Sequence, residues 1–125
     1  MTLGPLARLE LACRDPRRQQ EFYGRTLGLA LVSAAPELPR FALGVVELVL
    51  RPRGDALFPA GPPQPGGDPG ALLAFPVADA ELDRWHRRML MGRIAVLDAP
   101  GPGGAPPRVL RIADPEGNVV ELFAP

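Results

Sequence analysis

Residues 9–28 read LELACRDPRRQQEFYGRTLG, and residues 73–92 read LAFPVADAELDRWHRRMLMG. Set one above the other at a shift of 64 residues, the two stretches follow one pattern. Leu9, Leu11 and Cys13 alternate with Arg8, Glu10 and Ala12, the period of two that marks a half-buried strand. Leu73, Phe75 and Val77 repeat it. Asp15 followed by Pro16 then supplies an N-cap and a proline at the first helical position, where its missing N–H costs nothing. This predicts a helix over about 16–26, with Gln19, Phe22, Tyr23 and Thr26 on one stripe and Gly28 closing it. In the second copy Asp79 is the matching cap, Leu82, Trp85, His86 and Met89 form the stripe, and Gly92 matches Gly28.

Outward from each copy the chain continues as strands. The first half predicts strands over 29–34 and 39–44, with Pro36 and Glu37 at the turn, and a further stretch over 45–51 that either alternates anew or continues past a kink at Gly44. The second half predicts strands over 93–97, 108–113 and 119–123. Between the last two, Asp114-Pro115-Glu116-Gly117-Asn118 reads as a turn in which Pro presets φ and Gly accepts a positive one. The expected architecture is α+β: two tandem βαβββ units, about 6–51 and 71–124, joined by a Pro/Gly linker at 52–70 within one domain spanning 1–125. A helix covers one face of each sheet. Alternation assigns the other face to Arg8, Glu10 and Ala12 on the first strand, Val45, Glu47 and Val49 on the fourth, Leu72 and Ala74, and finally Val119, Glu121 and Phe123.

Composition narrows the function classes. Fourteen arginines, with no lysine, balance fourteen acidic residues in 125, so nothing marks a nucleic-acid or polybasic membrane surface. One Cys excludes an internal disulfide, and one Cys with one His excludes a zinc site built from those two residue types alone. A metal would have to rest on carboxylates. No apolar run approaches a transmembrane length and no signal-peptide pattern opens the chain, which sets cytoplasmic as the expected location. Proline and glycine are frequent, 17 and 14 residues, but they crowd into 52–70 and 100–107 and leave the rest of the chain free to fold.

Two motifs carry a family resemblance over essentially the whole chain: Asp15-Pro16 leading to Phe22-Tyr23 and Leu27-Gly28-Leu29, and the closing Asp114-Pro115-Glu116-Gly117-Asn118-Val119-Val120-Glu121-Leu122. With them the chain resembles the vicinal oxygen chelate superfamily, the glyoxalase, bleomycin-resistance and extradiol-dioxygenase group. The resemblance implies paired units whose sheets curl into a half-open cup around a divalent metal, each unit giving one ligand from its first strand and one from its fourth. Carried over position by position, those places hold Arg8, Glu47, Leu72 and Glu121. The carboxylates remain, while arginine and leucine stand where histidine is usual. Arginine offers only donors and leucine offers nothing, so no metal is expected. If one binds, Glu47, Glu121 and Glu10 are its ligands. Arg8 is instead expected to replace the ion's charge, forking onto Glu47 or Glu121.

Three functions compete on this basis. The first is a small-molecule binder of the bleomycin-resistance kind that works without the metal, its cup lined by Val45, Val49, Ala74 and Phe123 around Arg8, Glu10, Glu47 and Glu121. The second is a metal-dependent lyase, isomerase or dioxygenase with Glu47 or Glu121 as its base. The third is a ligand-free dimeric interaction module. The resemblance further implies a homodimer, in which cups can be built from strands of two chains. Residues 100–107 are a candidate rim, and Pro62-Pro63-Gln64-Pro65 reads as a tether rather than a recognition peptide. His86, Trp85 and Met89 read as helix packing, Trp85 alternatively as a subunit contact. Cys13 reads as an inert core thiol, and Tyr23 is ambiguous.

Overall fold

Alternation and the Asp-Pro cap place the first elements where the sequence puts them. A computed structural model describes residues 1–33, 38–54, 57–61, 70–102 and 107–125. The expected turn at Pro36 and Glu37, most of the 52–70 linker with its Pro62-Pro63-Gln64-Pro65 run, and the central part of the 100–107 rim lie outside the described residues. The chain divides into two compact units, Met1–Pro63 and Gln64–Pro125.

In the first unit β1 (Arg8–Cys13) leads to α1 (Pro16–Glu21), then to β2 (Leu31–Ser33), β3 (Arg40–Leu43) and β4 (Val46–Pro52). The sheet order is β1-β4-β3-β2, with β1 and β4 parallel and the other pairs antiparallel. Asp15 caps α1, its Oδ1 accepting the Arg18 N–H at 3.2 Å. The helix does not run uniformly to residue 26: from Phe22 to Thr26 it widens into a π-helical turn. That turn buries both Phe22 and Tyr23, whose rings meet edge to face at 5.1 Å. Gly28 then leaves the turn with φ +77°, a conformation costly for any residue with a Cβ. The core beneath α1 consists of Leu11, Cys13, Phe22, Tyr23, Phe41, Leu48 and Leu50. Gly44 and Val45 form a two-residue hairpin between Leu43 and Val46. Val45 is therefore 93% exposed in a turn and does not line the sheet face, a correction to the strand expected from residue 45.

In the second unit β5 (Leu72–Pro76), α2 (Asp79–Met91), β6 (Val96–Asp98), β7 (Arg108–Ala113) and β8 (Val119–Ala124) repeat the order as β5-β8-β7-β6. Leu82 and Met89 of α2 are fully buried with Leu110, Ile112 and Val120, while Trp85 and His86 are half-buried. Asp79 does not cap this helix: Ala78 occupies the N-cap and makes no side-chain cap bond. The Asp79 carboxylate instead accepts from Arg108 of β7 at 3.0 Å, as Asp83 does one turn later, so charge pairing claims the group that would otherwise cap. Gly92 is likewise not the counterpart of Gly28. Its φ is −82°, and the positive φ falls on Arg93 at 57°, which delays β6 to Val96.

The turn at 114–118 is more built than its sequence signal suggests. Asp114, 4% exposed, accepts the backbone N–H groups of Glu116 and Asn118 on Oδ1, each at 2.9 Å, and the Asn118 side-chain amide on Oδ2 at 2.9 Å. Asn118 Oδ1 then accepts the Ala71 N–H at 3.0 Å, tying the hairpin to the start of β5. The motif thus fixes the register of β8 between β7 and β5. Among the described residues no helix is long and apolar enough to cross a membrane.

Candidate functional site

Each sheet has a face that its helix does not cover. In the first unit the alternation that buries Leu11, Leu48 and Leu50 turns Arg8, Glu10, Glu47 and Arg51 to that face. The parallel register sets Arg8 beside Glu47 and Glu10 beside Val49, and the antiparallel register sets Arg40 on the other side of Val49. Val49, fully buried, lies between the charged rows.

The charges pair within this face. Arg8 Nε donates to Glu10 Oε2 at 2.7 Å, and Arg51 Nε donates to Glu10 Oε1. Arg40 Nη1 reaches Glu47 Oε2 at 3.3 Å. Arg8 therefore does not fork onto Glu47, contrary to the sequence expectation. Glu10 stands two residues away on the same face of β1, while Glu47, directly across from Arg8, is held by Arg40. The Arg51 hydrogen bond, and after it that of Arg8, holds the Glu10 carboxyl below its ordinary 4.5. Glu10 is thus a carboxylate committed to arginines, not one free to swing toward an ion.

In the second unit the corresponding face carries Leu72, Ala74, Arg111, Glu121 and Phe123. Arg111 Nε donates to Glu121 at 2.9 Å and its Nη1 to Asp98 at 2.8 Å. These two carboxylates, Asp98 first, raise the Arg111 guanidinium further above its already high value. Leu72 is 55% exposed, and Phe123 is half-buried between Pro76 and Val109 in register.

The register also separates two residues that sequence alone treats as a pair. Glu47 lies opposite Arg8, but Glu121 lies opposite Ala74, the repeat of Glu10. The first-unit counterpart of Glu121 is accordingly Val49, and the second-unit counterpart of Glu47 is Val119. Arg40, Arg51, Arg111 and Asp98 belong to these faces although no motif in the sequence marks them. Arg51 follows the period-two phase of Glu47 on the same strand and Arg111 alternates with Leu110 and Ile112, so both are readable from alternation, whereas Arg40 and Asp98 need the strand pairing.

The donor set does not fit a divalent ion. Arg8 and Leu72 offer no ligand atom, and Glu10, Glu47 and Glu121 each already accept from an arginine. Among the described residues no group of three or more His, Cys, Asp or Glu side chains is arranged to hold a metal. Two shallow grooves lie away from these faces. One, about 560 Å³, runs beside the π-helical turn between Arg17, Arg25 and Phe41; the other, about 500 Å³, follows the outer side of α2 past Trp85 and Met91.

No curated protein matches the chain. Among solved structures, a lactoylglutathione lyase from Agrobacterium tumefaciens is 27% identical, with 99% of this chain and 96% of that chain covered at a TM-score of 0.71. A glyoxalase/bleomycin resistance protein/dioxygenase from Nocardioides is 25% identical, with 99% and 85% covered at a TM-score of 0.76. The fosfomycin resistance protein FosX from Mesorhizobium loti shares the fold at 18% identity, with 100% and 94% covered and a TM-score of 0.72. The model of one family matches residues 5–122, nearly the whole chain, and by that match the protein belongs to the Glyoxalase/Bleomycin resistance protein/Dioxygenase superfamily.

Proposed function

We propose that this superfamily member binds a small molecule without a resident divalent metal, using the uncovered face of its first sheet as the polar wall of the site. The observation that carries the reading is the occupation of Glu10 by Arg8 and Arg51 and of Glu47 by Arg40. A cation entering there would have to displace guanidinium groups from both carboxylates and would meet their repulsion once it arrived. The arginines supply fixed positive charge of the kind an ion would otherwise bring.

The lyase and dioxygenase chemistry named among the relatives is the competing reading, with Glu47 or Glu121 as base. Each side chain already accepts a hydrogen bond from an arginine, Glu47 from Arg40 and Glu121 from Arg111, and would have to give up that contact to take a substrate proton on the same oxygen. A thermal-shift screen of a metabolite library, run once in chelator and once with added Mn²⁺, Ni²⁺ or Zn²⁺, tests the proposal. Hits that persist in chelator and weaken in Arg8→Gln are expected. Hits that appear only with metal, and vanish in Glu47→Gln, would transfer the chain to the metal-dependent reading.

A further inference from the structure

Leu82 and Met89 turn one side of α2 into the core of the second unit, and the side turned away carries a groove of about 500 Å³. Glu81, Arg84, Trp85, Arg87, Arg88 and Met91 line it, and their spacings of three and four residues set them along one face of the helix. Arg88 lies over the Trp85 ring, 5.7 Å from its centre, and is engaged there. Arg84 and Arg87 are exposed, and among the described residues neither side chain makes a hydrogen bond or an ion pair. Glu81 precedes Arg84 by three residues, a spacing at which a pair could close, yet no ion pair joins them. Like charges at this spacing repel along a helix. A carboxylate arriving between Arg84 and Arg87 therefore relieves a repulsion that the chain itself leaves in place.

The apolar part of the groove is open as well. Met91 is 86% exposed and Trp85 is half-buried at the margin. Trp, Arg and Met are the side chains enriched where proteins dock. From Glu81 to Met91 the lining follows the helix for about 15 Å, so the occupant it fits is elongated, a stretch of chain rather than a compact metabolite. Charge then chooses among elongated partners. A second copy of this face would bring two more unpaired arginines against Arg84 and Arg87. A nucleic-acid strand would be repelled at the start of the helix, where Asp79 and Asp83 share the single Arg108 beside Glu81. A short acidic segment with an apolar anchor avoids both conflicts.

We infer that this groove docks an acidic peptide segment of a partner protein, its carboxylates on Arg84 and Arg87 and an apolar side chain against Trp85 and Met91. The inference is independent of the small-molecule reading, because it uses none of the residues of the first sheet. Either can fail without the other.

Trp85 is the only tryptophan of the chain, so its emission and its indole N–H resonance report on the groove. Full-length protein is titrated with an end-blocked peptide of three Glu-Glu-Leu repeats, the same peptide with Gln or Lys for Glu, glutarate, and oligo-dT. The Glu peptide is expected to shift both signals saturably and to bind at least about 10-fold more tightly than the Gln peptide, and the Lys peptide is expected to do neither. Arg84→Gln and Arg87→Gln should each weaken it about 3-fold and together about 10-fold, and Met91→Ala at least about 3-fold. Arg17→Gln, at an exposed arginine of the first unit, should change nothing. All these positions are exposed, and far-UV circular dichroism verifies that the variants fold. Equal binding of the Glu and Gln peptides, or no loss in the double arginine variant, would overturn the acidic class. Saturation by glutarate at the peptide's affinity would replace the segment by a small anion, and tighter binding of oligo-dT would give the face to nucleic acid. Trp85 signals that change with protein concentration alone would give it to a second copy. No saturable change in either signal with the Glu peptide would overturn the inference directly.

Discussion

Replacing Asp114 by alanine tests whether the closing turn is a structural lock or a surface loop. The carboxylate is nearly buried and accepts three hydrogen bonds of 2.9 Å, two from backbone N–H groups and one from Asn118. A hydrogen bond to a charged group contributes about 1.5–3 kcal/mol, and the turn lies at the surface, where water can reach some of the freed donors. Taking the lower figure and letting water recover roughly a third of the total gives a loss of about 3 kcal/mol. For a chain of this length that lowers Tm by about 12 °C. Asp114→Asn keeps the shape and one acceptor oxygen but sets an amide donor against the Asn118 amide, so it should fall in between, near 1–2 kcal/mol. Urea unfolding followed by far-UV circular dichroism gives these numbers, and a double-mutant cycle with Asn118→Ala isolates the coupling. A coupling of at least about 1 kcal/mol is expected. A loss below about 1 kcal/mol for Asp114→Ala, or strict additivity with Asn118→Ala, would show that the bonds do not act as the lock described here.

Three further outcomes follow from the same structure. Glu10→Gln should cost about 1 kcal/mol at neutral pH, a modest figure because Arg8 is largely solvated. Since Arg51 and Arg8 hold the folded carboxyl below 4.5, that stabilisation is complete above the unfolded value and is lost as pH falls through the lower folded one, so wild type and variant should converge in acid when unfolding is measured from pH 7 to 3. Gly28→Ala should destabilise by about 1 kcal/mol through its φ of +77° alone, since a Cβ there meets no atom within 4 Å, and a neutral result would remove the conformational argument. Leu82→Ala empties a fully buried position between α2 and its sheet and should cost about 2–5 kcal/mol in chemical denaturation; a cost under 1 would place that helix loosely on the sheet.

How much of this was legible in the sequence depended on the length scale of the signal. The period-two runs of β1, β4 and β8, the Asp15-Pro16 cap and the stripe of α2 are local, and local sterics decide them. The π-helical turn is different: nothing in Phe22–Thr26 announces a wider turn, and the burial of adjacent Phe22 and Tyr23 becomes visible only with the packed core. The sequence after Gly44 fits a new strand or a kinked continuation equally well, and only strand pairing turns Gly44 and Val45 into a hairpin. The candidate face itself was legible in its members Arg8, Glu10 and Glu47, because alternation governs which way a side chain points. Its partnerships were not. An arginine reaches several neighbours along and across strands, so whether Arg8 meets Glu10 or Glu47 depends on relative distances that only the register supplies. The same register, set by the Asp114–Asn118 lock and by the parallel pairing of β1 with β4, shifts Glu121 by two residues from the position of Glu47 in the repeat.

The most direct measurement of the central claim is equilibrium dialysis of purified protein against Mn²⁺, Ni²⁺ and Zn²⁺ with elemental analysis of the retained ion. The pairing of Glu10, Glu47 and Glu121 with arginines, and the absence of ligand atoms at Arg8 and Leu72, predict retention well below one ion per chain and no loss when Glu47→Gln is compared with wild type. One tightly held ion per chain that disappears in Glu47→Gln or Glu121→Gln would contradict it.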